Sequence, residues 1–213
     1  MSSSGGGGTS TSSGSHRHFY VAVGTEVQKL PTLKNLLHAL DLQEPNLSMV
    51  IVCNSRDTLD ELVSSLSKLD YYDCSFLHSD MHSDWRKTVL DKFNSSNEED
   101  SFSTAATEGN EDDEAPPKRS GMKILLSSDV CLPKPSSEEL RRQVRMVINY
   151  DIPTRKEQHL KRLSCISGPS KGIFINFLVA NEVSMLKSLE SYTSQAVQEM
   201  PLILSDIFKS SLQ

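Results

Sequence analysis

The sequence predicts an α/β domain built on a single doubly wound parallel sheet, with helices on both faces. Three observations predict it. Short apolar runs of strand length alternate with amphipathic stretches of helical period along most of the chain, the pattern of repeated βαβ units. A strand joined through a helix to the next strand gives parallel neighbours. The 213 residues, 37% of them hydrophobic, suffice to bury one core.

His18 to Gly24 alternates apolar and polar positions like a strand, and Pro31 to Leu42 sets Leu33, Leu36, Leu37 and Leu40 on one helical stripe, with the proline at the first helical position. Met49 to Cys53 is the next strand. It runs through Asn54 and Ser55 into a helix whose buried side carries Leu59, Leu62, Val63, Leu66 and Leu69. Cys74 to Leu77 reads as a short strand and Ser83 to Phe93 as a helix. Strands follow at Lys123 to Ser127 and Val144 to Asn149, then a helix around Glu157 to Leu163, a strand at Ile173 to Leu178 and a helix from Glu182 to Tyr192. In sheets of this kind ligands gather at the carboxyl ends of the strands.

Two stretches fall outside this pattern. Residues 1–16 form a Ser/Gly-rich tail; Met1 to Ser15 are Ser, Gly and Thr apart from the first residue, too polar to order themselves by burial. Such a start also fits an organellar transit peptide, but with only Arg17 and two histidines for charge a plain tail is the better fit, and a cytoplasmic or nuclear location is expected. Residues 94–120 read as a disordered acidic insertion between a helix and a strand, and residues 210–213 as a second tail. Eight acidic residues lie between Glu98 and Glu114; setting them aside turns the formal net charge of −6 into +2, so residues 17–209 form a slightly basic domain around that insertion. A solvated linker and a shield over a basic face both fit the insertion.

The cysteines, Cys53, Cys74, Cys131 and Cys165, show no CxxC spacing and each lies in or beside an apolar run, so buried reduced thiols are expected rather than metal ligands. His38, His78 and His82 lack companions at ligand spacing, so no metal is expected. No apolar run reaches 18 residues, so no membrane partner is expected, and the chain reads as a monomer.

The chemistry-bearing segments fall at strand ends. Val147 to Thr154 reads VINYDIPT, a helix with Lys161, Arg162, Ser164 and Cys165 follows, and Gly172 to Phe177 closes on Ile-Asn-Phe. Val50 to Arg56 reads VIVCNSR, His78 to Arg86 reads HSDMHSDWR, and Lys123 to Asp129 reads KILLSSD. In motif and order these resemble the C-terminal RecA-like domain of DEAD-box RNA helicases, most closely those related to the translation initiation factor of that class. The resemblance covers nearly everything from Phe19 to Phe208 and implies the RecA-like version of the doubly wound sheet.

It also implies roles. In the family, Asn54, Ser55 and Arg56 would contact RNA backbone, as would Asp80, Arg86, Ser127 and Ser128 at the ends of the next two strands. Ser55 and Asp57 also suit the capping of their helix. Trp85 reads as partly buried rather than as a platform for bases. Asp129, Lys161 and Arg162 occupy positions that face nucleotide. Here the sequence departs from the family: Lys161 stands for the motif's His, Ser164 and Cys165 for its next Gly and Arg, and a loop one residue short removes the final Arg. Those arginines stabilise charge on the transferring phosphoryl group, and losing such a finger costs roughly 10³ to 10⁵ in rate. Leu132, Pro133, Lys134, Pro135 and Ser136 replace the nucleotide-side loop Ala-Arg-Gly-Ile-Asp; prolines fix φ and remove amide donors. Arg141, Arg142 and Arg145 add a basic cluster foreign to the pattern, with a solvated helix face as its default reading.

Neither a GxxxxGK[ST] loop nor an Asp-Glu-Ala-Asp strand occurs in these residues. The expectation is a catalytically inactive helicase-like module that binds RNA backbone weakly, or a protein of the helicase and translation machinery. The alternative is a second lobe that modulates a separate helicase ATPase. No cofactor is expected for the chain alone, with ATP and Mg²⁺ entering only if another RecA-like domain completes the site.

Overall fold

The computed structural model describes residues 16–69, 72–95, 121–133, 139–140, 143–166 and 171–209. The elements follow the alternation in order: β1 (Arg17–Ala22), α1 (Glu26–Gln43), β2 (Ser48–Cys53), α2 (Arg56–Leu66), β3 (Asp73–Leu77), α3 (Ser83–Asn94), β4 (Lys123–Ser128), β5 (Met146–Asn149), α4 (Lys156–Leu163), β6 (Ile173–Leu178), α5 (Val183–Thr193) and β7 (Gln198–Glu199). Short 3-10 helices cover Ala180–Glu182 and Leu204–Ile207.

All seven strands pair in parallel in the order β3-β4-β2-β5-β6-β1-β7. The interior strand β2, paired with β4 and β5, is buried at every position. Its period of two sends Met49, Ile51 and Cys53 to one face, where they meet Leu33, Leu37 and Leu40 of α1 and Leu59, Leu62 and Leu66 of α2. Val50 and Val52 point the other way, into a layer with Leu90 and Phe93 of α3 and Phe174 of β6. The two-faced sheet is as predicted.

Several boundaries differ. α1 begins at Glu26, five residues before the expected start, and carries Pro31 inside. Gln28 secures the earlier start, its Oε1 accepting the Thr25 N–H at 3.0 Å, and Lys29 is buried on the extended stripe. β1 stops at Ala22, β5 starts two residues late at Met146, and β7 has no precedent in the sequence reading. β7 pairs with β1 through Phe19 and Tyr20, and the Met200 N–H donates to the Tyr20 carbonyl at 2.9 Å. Residues 1–15 of the N-terminal tail, 96–120 of the acidic insertion and 210–213 lie outside the described residues, as do Lys134, Pro135, Ser136, Arg141 and Arg142. Among the described residues no helix is long and apolar enough to cross a membrane.

Candidate functional site

The carboxyl ends of β2, β4 and β5 converge on one side chain, Arg162 of α4, which is fully buried. A guanidinium has five N–H donors in a fixed fork, and all five are engaged. Nε donates to Asp129 Oδ1 and Nη2 to Asp129 Oδ2, each at 2.7 Å, a bidentate pair. Nη1 donates to Asn149 Oδ1 at 3.1 Å and to the Asp151 carbonyl at 2.6 Å. Nη2 completes the set with Asn54 Oδ1 at 2.7 Å. The residue that sequence placed facing nucleotide is therefore a clamp within its own lobe, with no donor left for a phosphate in this arrangement.

The clamp sits in a longer polar network. Asn149 Nδ2 donates to Asn176 Oδ1 at 2.7 Å, its register partner on β6, and Asn176 Nδ2 donates to the Phe19 carbonyl on β1 at 2.8 Å. Both asparagines are buried, so these bonds satisfy groups that would otherwise be costly. Asp151 accepts the Asn54 N–H at 2.8 Å and faces Lys29 Nζ at 3.5 Å. Lys29 is 1% exposed and also pairs with Glu26 at 3.0 Å and Glu182 at 3.6 Å. Burial pulls its pKa down, but the hydrogen bond to Glu26 and the attraction of Glu182 and Asp151 outweigh that and hold the ammonium above its ordinary value.

Lys161 donates to the Asp129 carbonyl and, at 3.3 Å, to that of Val130, while Gln158 Nε2 donates to Asp129 Oδ2 at 3.0 Å. Of the three residues assigned to the nucleotide side, Lys161 and Arg162 thus both bind the third, Asp129. Ser164 and Cys165 occupy the end of α4; Cys165 is buried and its thiol pKa is pushed up to about 12 by burial. Burial likewise raises Cys53 and Cys74 to about 12; Cys131 is buried and Cys74 half-buried, and all four thiols are free.

The residues assigned to RNA are spread along the same edge. Asn54 Nδ2 donates to the Ile152 carbonyl at 3.1 Å, so its side chain is committed at both ends. Ser55 caps α2, its Oγ accepting the Thr58 N–H at 3.1 Å, as the capping role requires. Arg56 is exposed and pairs with Asp60 at 2.8 Å and with Asp80 at 3.1 Å. Arg86 turns inward instead, to the Cys131 carbonyl at 2.8 Å and Glu139 at 3.2 Å. Ser127 is buried and donates to the Ser128 carbonyl at 3.0 Å. Trp85 is 66% exposed, against the expectation of partial burial, because it occupies the outward face of the first turn of α3 while Leu90 and Phe93 take the inward one.

Two groups escaped the sequence reading. Lys29 lies in phase with Leu33, Leu36 and Leu40, and a lysine on an apolar stripe was the available signal. Val130 and Leu160 stand 81% and 51% exposed on the loop and helix that frame the Asp129 cluster.

Seven parallel strands in this order, with helices on both faces and a buried polar network at their carboxyl ends, form a doubly wound RecA-like sheet. Residues 28–108 match the family described as the helicase conserved C-terminal domain. The chain is 27% identical over 192 residues to the ATP-dependent RNA helicase eIF4A of Aspergillus clavatus, covering 90% of this chain and 40% of that one. The eIF4A of Neurospora crassa gives the same identity and coverage. The chain therefore spans about two fifths of the length of the curated relatives it matches. Among solved structures the fold matches S. cerevisiae Dbp5 bound to RNA and ADP BeF3 with a TM-score of 0.62 at 19% identity, covering 92% of this chain and 46% of that one. It also matches a structure of the E. coli DEAD-box protein SrmB bound to regulator of ribonuclease activity A, with a TM-score of 0.62 at 14% identity over 93% of this chain and 96% of that one. The chain thus has the fold of DEAD-box C-terminal domains and is similar in sequence to the eIF4A helicases over most of its length.

Proposed function

We propose that this domain is a non-catalytic, helicase-like binding module that holds RNA backbone at the strand-end edge. One observation carries the reading: the guanidinium of Arg162 is consumed by Asp129, Asn149, Asp151 and Asn54, while Ser164 and Cys165 stand where the family keeps a Gly and a further Arg. A phosphoryl-transfer site needs a charged donor aimed out of the lobe, and this one aims inward. The polar strand ends remain, and Arg56 is their exposed cation. Its pairs with Asp60 and Asp80 are exposed to water and exchange readily for a phosphate.

Filter binding of the purified chain to single-stranded RNA tests this. Affinity at low salt that falls steeply with added salt is expected. No affinity at low salt would remove the RNA reading.

A second reading is favoured by Val130 and Leu160. These apolar side chains stand exposed on the strand-end face, where a partner lobe would cover them, so the domain would modulate a separate DEAD-box ATPase. Titrating the chain into such a helicase and finding its ATPase unchanged would count against this role. The related proteins' association with RNA and with other proteins supports both readings. ATP and Mg²⁺ would then belong to the site completed by the partner, not to this chain alone. We place the module in RNA metabolism or translation, in the cytoplasm or nucleus.

A further inference from the structure

α4 presents two buried polar side chains to the sheet, Arg162 and, one turn earlier, His159. His159 is fully buried, and neither of its ring nitrogens has a hydrogen-bond partner among the described residues. Its ring centroid lies 5.6 Å from that of His18 on β1, itself 5% exposed and without a partner for Nδ1. His18 stacks on Phe174 at 4.7 Å, and His16 meets the same phenyl ring edge-on at 5.5 Å, its Nδ1 accepting the Gly172 N–H at 3.1 Å. Buried polar atoms are normally satisfied, so three orphaned nitrogens in one contact are unusual.

No carboxylate among the described residues acts on either imidazole, although α5, which packs on α4, carries Lys187 and Glu190. His16 precedes β1 and Arg17 begins it, with Arg17 Nη1 held by the carbonyls of Asp206, Ile207 and Lys209. β6 contributes Phe174 and has no charged residue within Ile173–Leu178. On α4 the charged residues are Lys156, Glu157, Lys161 and Arg162, of which Arg162 acts on His159. A proton on either imidazole would sit beside the other ring, one helical turn from a guanidinium.

From this arrangement we infer that His18 and His159 form an acid-sensitive latch: protonation of the pair loosens α4 from the sheet and withdraws Arg162 from the ends of β2, β4 and β5. Burial, then the proximity of the other cationic groups, already holds His18 at about 3 and His159 at about 4, both below the ordinary 6.5. The direction follows from linkage. The opened state takes up protons near the ordinary value and the closed state does not, so closure is complete above about pH 6.5 and weakens as pH falls toward 4. Between pH 7 and 5 each histidine shifts the closing equilibrium by roughly twenty-fold. The latch does not depend on whether the lobe binds RNA.

The experiment is amide hydrogen exchange on the full chain at pH 7 and pH 5, corrected for intrinsic rates and read at Leu160 to Leu163, for the natural sequence and for His159→Leu. Protection of these amides is expected to fall by more than about a hundred-fold at the lower pH in the natural chain and by only about twenty-fold in the variant, which keeps His18. Equal protection at both pH values in the natural chain would overturn the latch, as would an unchanged loss in the variant. Proton NMR titration of the histidine ring protons needs no variant and stands if His159→Leu does not fold. Two rings that remain neutral in the folded chain down to pH 5 support the latch; two rings titrating near 6.5 while folded refute it.

Discussion

Replacing Arg162 is the perturbation with the largest consequence. Arg162→Ala removes five donors and leaves Asp129, which is 8% exposed, as a carboxylate without its bidentate partner. Breaking a buried pair from one side costs about 3–5 kcal/mol. Asn149 Oδ1 is buried and loses its donor, adding about 1 kcal/mol, whereas Asn54 is exposed and recovers water. The expected loss is about 4–6 kcal/mol, comparable with the whole stability of many small domains. Arg162→Lys keeps the charge but concentrates three donors on one nitrogen, which cannot span Asp129 bidentately while also reaching Asn149, Asn54 and the Asp151 carbonyl; about 2–3 kcal/mol is expected to go. A double variant, Asp129→Leu with Arg162→Met, strands no charge and should be more stable than Arg162→Ala alone. Urea unfolding followed by circular dichroism, extrapolated linearly to water, measures all three. If Arg162→Ala lost less than about 1 kcal/mol, or Arg162→Lys matched the natural chain, the guanidinium would not be the clamp described here.

Three further outcomes follow from the same geometry. Lys29→Ala leaves Asp151 and Glu182, both largely buried, facing each other without their shared cation, and should cost about 2–4 kcal/mol in urea unfolding. Gly172→Ala would bring a new Cβ to 2.6 Å from Ile166 Cγ1 and 2.8 Å from Cγ2, atoms close to the backbone that cannot swing away, so a loss of about 1–2 kcal/mol and a lower melting midpoint are expected. Arg56→Ala should leave the melting midpoint unchanged, because its carboxylate pairs are exposed, while reducing the slope of log affinity for single-stranded RNA against log salt by about one.

The fold was legible because its signal is periodic. The nearly continuous apolar runs of β2 and β6 and the leucine stripes of α1 and α2 state their geometry through spacing alone. The start of α1 was obscured by Pro31, whose usual place at a helix N-terminus suggested a later beginning, and that error removed Lys29 from the stripe where its burial would have shown. β7 is two exposed residues, Gln198 and Glu199, held through backbone pairing to β1, which leaves no side-chain pattern to read.

The site was legible in membership and opaque in direction. Asn54, Asp129, Lys161 and Arg162 were singled out and do meet, but a sequence gives the residue types of a cluster without saying where its donors point. Arg162 bonds to residues 13, 33 and 108 positions away, and only the folded chain shows that its five N–H groups face inward. Arg86 is similar: its motif suggests a phosphate, while the nearness of Glu139 and the Cys131 carbonyl is set by a loop without periodicity. Trp85 depended on which side of α3 its first turn exposes, and the leucine and phenylalanine further along were the better guide.

The account turns on whether a RecA-like lobe whose arginine is turned inward can turn over nucleotide. Phosphate release by the purified chain, supplied with ATP, Mg²⁺ and single-stranded RNA, measures this directly. Release no faster than in buffer, with or without RNA, is the predicted result; RNA-stimulated release that disappears in Arg162→Ala while that variant remains folded would contradict it.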